Sequence, residues 1–326
     1  MDEIKRYIIP VKRDRVGSLC WHGDELIDWA AGGNRYHLDG TISESRVFWG
    51  YEFDNAVISP DGRYTVIYKT LGTKAVILKE GKILREINRS YYFAGSYEYP
   101  VALLRLRNGS IALAHCPDEY CKIELEEIET GQRLTARENK PADFFHSRLQ
   151  VSPDGRFILS AGWYWHPFDS IEVYEIETAL ANPETLDQIW QMKLDGVEGE
   201  IHSAAFNGTD ELIFTADARI DQSPVIGRYS LEEKRITSLS PVNETIGKLM
   251  PIGDFAVAFY ERPKLVELKT GQVIRSWNDI NTGNQNSSII GHQEKAPPLA
   301  LDPVNGRFAV AGTEAIVVVQ LDMNLR

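Results

Sequence analysis

Residues 149–178 carry a hydrophobic and polar pattern that the rest of the chain repeats with variations. An apolar run leads into a Ser-Pro-Asp-Gly turn, in which Pro153 presets φ and Gly155 accepts a positive φ. A second apolar run at 156–161 leaves this turn, and a third at 170–177 alternates apolar with acidic residues. The pattern predicts a three-stranded antiparallel meander. Because such a meander is marginally stable alone, copies of it must pack on one another.

Turn dipeptides flanked by apolar strands recur along the whole chain. From Asp24 to Gly306 they define six intervals over 282 residues, with a mean of 47 residues. That is the period of propeller blades or kelch-like arrays. The dipeptides are Gly23-Asp24, Asp61-Gly62, Asn108-Gly109, Asp154-Gly155, Thr209-Asp210, Gly253-Asp254 and Asn305-Gly306.

The later strands of each unit give an independent count, and it is also seven. The predicted third strands are 34–39, 74–79, 122–129, 170–178, 224–231, 263–269 and 315–322. The predicted fourth strands are 83–87, 134–137, 188–193, 236–239 and 273–277. Residues 177–186 are the one plausible helical segment.

The seventh unit has no fourth strand of its own, since the sequence ends four residues after Asp322. The apolar segment 6–12 belongs to no unit, and we expect it to supply the missing strand and close the ring. The predicted fold is therefore all-β, a single seven-bladed β-propeller domain over 1–326. A pair of β-sandwiches of about 160 residues each, the alternative, has no reason to repeat at this period. The expected units are a closing strand at 1–12 and blades at 13–48, 49–88, 89–138, 139–194, 195–241, 242–279 and 280–326.

The turns Ser59-Pro60-Asp61-Gly62-Arg63 and Ser152-Pro153-Asp154-Gly155-Arg156 resemble the turn between the first two blade strands of WD-repeat propellers. The last unit, from Gly291-His292 to its third strand, is similar to a whole WD repeat. No unit ends in Trp-Asp, and the Asp that the family places between the second and third strands is matched loosely by Asp169. The resemblance implies a divergent WD-like propeller.

Composition narrows the class of protein. Net charge is −12, from 35 basic and 47 acidic residues, so we expect no nucleic-acid partner. Three cysteines are too few for a disulfide framework. The N-terminus lacks the apolar core of a secretory signal, and no apolar run is long enough to span a membrane. We therefore expect a cytoplasmic, soluble monomer that does not bind membranes.

The sequence contains few short motifs that could form a catalytic or metal-binding site. His115, Cys116 and Cys121 are zinc-ligand types, but a structural zinc site needs four ligands and the sequence offers no second close pair. The nucleophile elbow, the Gly-rich phosphate loop and the His-Glu-x-x-His helix are all missing from the sequence. We expect no catalytic residues, no metal and no cofactor.

Aromatic residues crowd the connections of the second, third and fourth units, which emerge on one face of a propeller. The candidate partner-binding residues are Tyr92, Phe93, Tyr97, Tyr120, Phe145, Trp163, Tyr164, Trp165 and His166. Carboxylates are interspersed with them, at Glu98, Asp118, Glu119 and Asp143. Because Tyr and Trp supply binding energy at interface centres, we expect a non-enzymatic scaffold for a protein or peptide partner of basic character.

Three alternatives stay open from the sequence. The same rings could bind a small molecule or sugar in the channel mouth, or the chain could be a propeller hydrolase or lyase. The aromatic loops could instead fold back and bury their own rings. The remaining long loop, 278–298, is rich in Asn, Ser and Gly, and its composition favours mobility over packing.

Overall fold

Short antiparallel strands joined by tight turns make up most of the chain in the computed structural model, which describes residues 1–12, 15–189, 192, 194–218 and 223–323. Over these residues the strands form seven separate sheets in a ring, so the fold is a seven-bladed β-propeller. The turn prediction is confirmed at Gly62 and Gly155, where φ is 72° and 74°. Among the described helices, none is long and apolar enough to cross a membrane.

Each blade runs from an inner strand beside the central channel to an outer strand. In this order, blade 1 contains Cys20–His22, Glu25–Asp28, Asn34–His37 and Ile42–Ser43, blade 2 contains Asn55–Ile58, Tyr64–Tyr68, Lys74–Lys79 and Lys82–Asn88, and blade 3 contains Val101–Arg105, Ile111–His115 and Glu124–Glu127. Blade 4 contains Gln150–Val151, Phe157–Tyr164 and Phe168–Glu175, and the short strand Phe144–Phe145 also pairs with Phe157–Tyr164.

Blade 5 contains Val197–Asn207, Glu211–Ala218, Pro224–Ser230 and Arg235–Pro241, blade 6 contains Leu249–Ile252, Phe255–Tyr260, Arg262–Glu267 and Val273–Ser276, and blade 7 contains Leu299–Asp302, Arg307–Ala311, Ala315–Leu321 and Glu3–Pro10.

The N-terminal strand closes the ring, as the sequence predicts. Glu3–Pro10 pairs antiparallel with Ala315–Leu321, and Ile9, which is fully buried, lies opposite Ile316. The strand begins and ends slightly earlier than the predicted segment 6–12. The first and last strands of the described chain therefore share one blade.

The predicted outer strand of blade 3 is wrong. Residues 134–137 of blade 3 form no strand, because side chains take over the pairing: the Thr135 hydroxyl accepts the Leu125 N–H (2.9 Å) and donates to Glu124 (2.9 Å). The Arg137 guanidinium binds Asp187 (2.6 Å) instead of continuing a ladder. Blade 3 consequently has three strands within the described residues.

The outer side of blade 4 is helical. An α-helix at Ile176–Ala181 is followed by a 3-10 helix at Pro183–Asp187, which confirms the predicted helical segment. The α-helix ends before Asn182 because the residue preceding a proline is disfavoured in helical conformation. Of the predicted strand 188–193, residues 188, 189 and 192 are not in a strand, and residues 190, 191 and 193 lie outside the described residues.

The hydrophobic core lies between blades rather than within one sheet. Val66 and Ile77 of blade 2, for example, share a buried cluster with Leu103 and Leu113 of blade 3. Each blade buries both of its faces against its neighbours, which is why no unit of this size could be stable alone.

Candidate functional site

A buried aromatic layer lies under the connections of blades 2 to 4. The rings of Phe145 and Trp163 stack 3.8 Å apart at 11°, and Tyr97 meets Phe145 edge-on at 5.6 Å. All three side chains are at most 2% exposed. Phe145 and Trp163 face each other because they are directly paired across neighbouring antiparallel strands. Three of the nine predicted binding residues are therefore packing residues.

Three further predicted residues form an exposed layer above this base. Tyr92, Phe93 and Trp165 are 43%, 41% and 47% exposed, and we call them the exposed ring face. Phe93 lies 5.1 Å from Trp165, and Tyr92 stacks on the half-buried Tyr120 at 5.0 Å. The ring of Tyr120 in turn stacks on Phe145 at 4.1 Å. The exposed rings are thus held on a rigid aromatic support.

Two sequence features fix this arrangement. The side chain of Arg89 donates to the carbonyls of Gly72 (2.7 Å), Ala94 (2.7 Å) and Tyr97 (2.9 Å), which fixes the crossover that carries two of the three exposed rings. At Gly162 a Cβ atom would lie 1.9 Å from the Phe145 carbonyl oxygen. Only glycine permits the close approach that brings Phe145 under Trp163.

The remaining two predicted residues lie elsewhere. Since side chains alternate along a strand, Tyr164 faces away from Trp163, and its ring packs against Phe144 at 4.8 Å. Its hydroxyl donates to Glu172 at 2.6 Å. His166 is exposed at the hairpin tip with φ of 101°, a left-handed conformation that side chains other than glycine rarely adopt. The structure therefore does not bring Tyr164 into the aromatic cluster.

The predicted acidic rim is partly neutralised. Asp118 pairs with Arg133 (2.6 Å), and Glu98 accepts the Tyr68 hydroxyl (2.9 Å). Asp143 is exposed and accepts the Tyr120 hydroxyl at 2.7 Å, while Glu119 is exposed beside it in the blade 3 loop. Burial and the neighbouring Asp143 charge raise the pKa of Tyr120. Asp143 and Glu119 therefore face solvent next to the rings, as does Asp118, whose charge is paired with that of Arg133.

The loop 278–298 is packed, contrary to the mobility that its composition predicts. It joins blade 6 to blade 7, yet its backbone binds the opposite side of the ring: the Ile290 N–H donates to Ser96 O (2.8 Å), and Ile289 forms a bridge with Tyr97. Ser288, which is almost fully buried, binds Asp169 of blade 4. We call this segment the strap, because these contacts require it to cross the channel mouth on the face of the exposed rings. Backbone pairing, which composition does not reveal, holds the strap together with the buried side chains of Ile280 and Ile290.

Replacing Ser288 with alanine tests the strap. Its hydroxyl donates to Asp169 Oδ1, and its backbone N–H donates to the same oxygen at 3.0 Å. A hydrogen bond to a charged group contributes about 1.5–3 kcal/mol, so the free energy of unfolding should fall by that amount in chemical denaturation. Limited proteolysis should also become faster within 278–298.

The matched control for this experiment is Asn284→Ala, at an exposed position in the same segment. It should leave both the free energy of unfolding and the cleavage rate unchanged. Equal effects of the two substitutions would contradict the assignment of Ser288 as the anchor of the strap.

A second cluster of polar side chains lies where blades 4 and 5 meet under the strap. Asp169, Glu200 and His202 place one ligand-type atom each within 4.8 Å of one another. The Asp169 N–H donates to Glu200 Oε2 (3.0 Å), and His202 Nε2 lies 3.2 Å from Asp217 Oδ1. Burial acts to lower the pKa of His202, but interactions with Asp169 and Asp217 outweigh it and raise that pKa. Burial acts to raise the pKa of Asp169, but interactions with His202, Arg148 and Ser288 outweigh it and hold that pKa below the ordinary value.

Sequence reasoning missed this cluster. Asp169 is noted above as a loose match to the WD-repeat Asp, and His202 is isolated in the sequence. Glu200 and His202 are separated by one residue on a strand, but register shifts on both sides of Ile201 interrupt the alternation of that strand, so sequence spacing alone does not predict that the two side chains meet. The partners Asp169 and Ser288 come from distant parts of the chain, and only the fold brings them together.

The segment from His115 to Cys121 does not form a comparable cluster of ligand-type side chains. Cys116 and Cys121 are buried free thiols, and burial raises the pKa of Cys121 to about 11. His115 Nε2 lies 3.1 Å from Glu126 on the neighbouring strand. His146 Nε2 donates to the Cys121 carbonyl, its Nδ1 is hydrogen-bonded to the Ser160 hydroxyl, and burial lowers its pKa to about 3. The bond from His146 to Cys121 ties the segment before blade 4 to the blade 3 loop.

The chain is similar in structure to hydrazine synthase from Kuenenia stuttgartiensis. The TM-score is 0.60, the alignment covers 96% of this chain and 98% of that chain, and sequence identity is 11%. At this identity the likeness shows the propeller fold alone. No protein-family model matches the chain, and no curated protein sequence matches it.

Proposed function

We propose that the protein is a non-enzymatic propeller scaffold that binds a basic segment of a protein partner through the exposed ring face. One observation carries the proposal: Tyr92, Phe93 and Trp165 are each about two-fifths exposed or more, and all three contact the buried ring of Phe145. Three large rings that share one surface without being buried are unusual for a surface with no partner.

The rigid support explains why this surface could bind well. Association costs free energy when side chains must be ordered, and rings already fixed by stacking avoid most of that cost. Tyr and Trp at the centre of an interface typically contribute roughly 2 kcal/mol or more each. The buried residues Phe145 and Trp163, which the sequence places in the same site, would act by holding the exposed rings in position.

Charge favours a basic partner. Asp143 and Glu119 are exposed beside the rings, and the chain carries a net charge of −12. Arg and Lys side chains bind over aromatic faces and pair with carboxylates, so one segment could use both features. A cytoplasmic monomer is part of this proposal.

Kinship with WD-repeat propellers is also part of the proposal. The two Ser-Pro-Asp-Gly turns are built alike: the Ser59 hydroxyl donates to Asp61 (2.6 Å) and accepts the Tyr64 N–H (3.0 Å), and Ser152 and Asp154 repeat the first contact at 2.7 Å. Such turns support a common origin of the repeats.

The alternative of a small molecule or sugar in the channel mouth has less support. The strap lies across the mouth, and a ligand there would compete with its backbone contacts to Ser96 and Tyr97. The exposed ring face lies beside the strap and stays accessible to a larger partner.

The proposal is tested by the double substitution Phe93→Ala/Trp165→Ala. Partners captured from a native lysate are identified, purified and titrated against the wild-type and the double variant. If the rings are the interface centre, affinity should fall by roughly 30-fold or more, the equivalent of 2 kcal/mol. Raising the salt concentration should weaken wild-type binding as well, because rim charges contribute to association.

The matched control is Ile83→Ala/Ile274→Ala, which removes two exposed apolar side chains from outer strands. It should bind the partner as the wild-type chain does. Unchanged affinity in the Phe93→Ala/Trp165→Ala variant would refute the proposed site.

A further inference from the structure

The polar cluster at the boundary of blades 4 and 5 contains a buried carboxylate oxygen that makes no hydrogen bond. Asp169 is 2% exposed, and its Oδ1 atom accepts hydrogen bonds from the backbone N–H and the hydroxyl of Ser288. Its Oδ2 atom is buried, has no hydrogen-bond partner and lies 3.8 Å from His202 Nδ1. A buried carboxylate oxygen without a partner is costly, so this atom points to a ligand.

The other members of the cluster surround the same space. His202 Nε2 is engaged by Asp217 at 3.2 Å, which leaves Nδ1 facing Asp169. Glu200 is held beside Asp169 by the backbone N–H of that residue. The three ligand-type atoms lie within 4.8 Å of one another.

We propose that Asp169, Glu200 and His202 form a binding site for Zn²⁺, with Asp217 as the outer carboxylate that orients His202. This site departs from the expectation, drawn from sequence motifs, that the chain binds no metal. It is independent of the partner-binding function proposed above.

The geometry fits zinc. With bonds of roughly 2.0–2.1 Å, the ligands of a tetrahedral zinc ion lie roughly 3.3 Å from one another, close to the 3.8 Å between Asp169 Oδ2 and His202 Nδ1. Small side-chain rotations of Glu200 would complete the set. The His202 to Asp217 contact is the carboxylate–histidine pairing that fixes the ring orientation of a metal-bound imidazole.

Ligand type favours zinc over calcium or magnesium. Those hard cations prefer sets made entirely of oxygen ligands, whereas an imidazole nitrogen suits Zn²⁺ and its first-row neighbours. The side chain of His202 is about one-fifth exposed, so an ion has a route from solvent and a water could take the fourth position.

The charge around the site favours a cation. Carboxylates predominate there, at Asp169, Glu200 and Asp217, and the Arg148 guanidinium donates to the His202 carbonyl at 2.9 Å. A bound ion would join blade 4 to blade 5 directly and, through Asp169 and Ser288, would reinforce the strap.

The experiment measures zinc itself. The full chain is stripped with chelator, titrated with Zn²⁺ by calorimetry, and analysed for zinc after dialysis. We expect one zinc per wild-type chain. His202→Gln and Glu200→Gln should each weaken binding by at least about tenfold, and Asp217→Asn by about tenfold, as outer partners of metal sites usually do.

The matched control is His37→Gln, since His37 Nδ1 lies 3.5 Å from Glu25 in blade 1, a histidine–carboxylate pair far from the proposed site. This variant should bind zinc as the wild-type chain does. Circular dichroism confirms that each variant is folded before titration. Failure of the folded wild-type chain to retain zinc would overturn the proposal and leave His202 as an ion-pair partner of Asp169 and Asp217. Equal zinc binding by all four variants would overturn it as well.

Discussion

Replacing Trp163 with alanine is expected to lower the free energy of unfolding by about 3–5 kcal/mol. The indole is 2% exposed, stacks on Phe145 at 3.8 Å, and contacts Tyr97 edge-on at 6.2 Å. Truncation removes this contact area and leaves a cavity that the flanking strands cannot close, because both are held by backbone pairing. Chemical denaturation followed by circular dichroism measures the loss.

Trp165 provides the matched control from the same hairpin, just beyond the strand that holds Trp163. It is 47% exposed, so Trp165→Ala should change the free energy of unfolding by less than about 1 kcal/mol, although the indole contacts Phe93 at 5.1 Å. Equal losses in the two variants would mean that the hairpin is uniformly packed and would remove the structural basis of the exposed ring face.

The difference between these two tryptophans shows what the sequence can and cannot establish about the site. Alternation along a strand already places Trp163 and Trp165 on one side and Tyr164 on the other, so the position of Tyr164 is predictable. The burial of Trp163 is not, because it depends on Phe145, which reaches it from the preceding crossover. Aromatic crowding therefore predicts a cluster but not which of its rings face solvent.

The blade repeat is predictable for a physical reason. Each unit is specified by local features: a turn that needs positive φ, alternating strands and a hairpin. The third strand at Lys74–Lys79 has the predicted bounds, and the other third strands differ by a few residues. Blade 3 departs from the rule because Thr135 and Arg137 replace backbone pairing with side-chain bonds, and a hydrophobic pattern does not show that exchange.

The polar cluster and the strap depend wholly on tertiary structure. Asp169 and Ser288 are separated by 119 residues. The hydrogen bond between them forms only because the ring places the connection from blade 6 to blade 7 against blade 4. Composition alone predicts that the strap is a mobile polar loop. Its order comes from backbone groups that bind the crossover of blades 2 and 3. The same limitation hides Glu200 and His202 from any motif search.

Removing residues 1–10 is expected to open the ring and give an aggregated or strongly destabilised protein. The strand Glu3–Pro10 covers the edge of Ala315–Leu321, and its loss leaves a row of unpaired backbone groups that can recruit another chain. Further contacts to blade 6 disappear, since the Trp277 indole N–H donates to Glu3 at 2.6 Å and Arg6 binds Asp279. Size-exclusion chromatography and thermal melting measure the outcome.

A pair of point substitutions separates loss of closure from general damage to the N-terminus. Ile9 is fully buried opposite Ile316, whereas its neighbour Ile8 is 61% exposed. Ile9→Ala should cost about 2–5 kcal/mol of unfolding free energy, and Ile8→Ala should cost under about 1 kcal/mol. This contrast follows from a strand whose two faces alternate between the blade interface and solvent. A truncated chain that stays monomeric and melts at the wild-type temperature, with Ile9→Ala as mild as Ile8→Ala, would show that the ring does not depend on this strand.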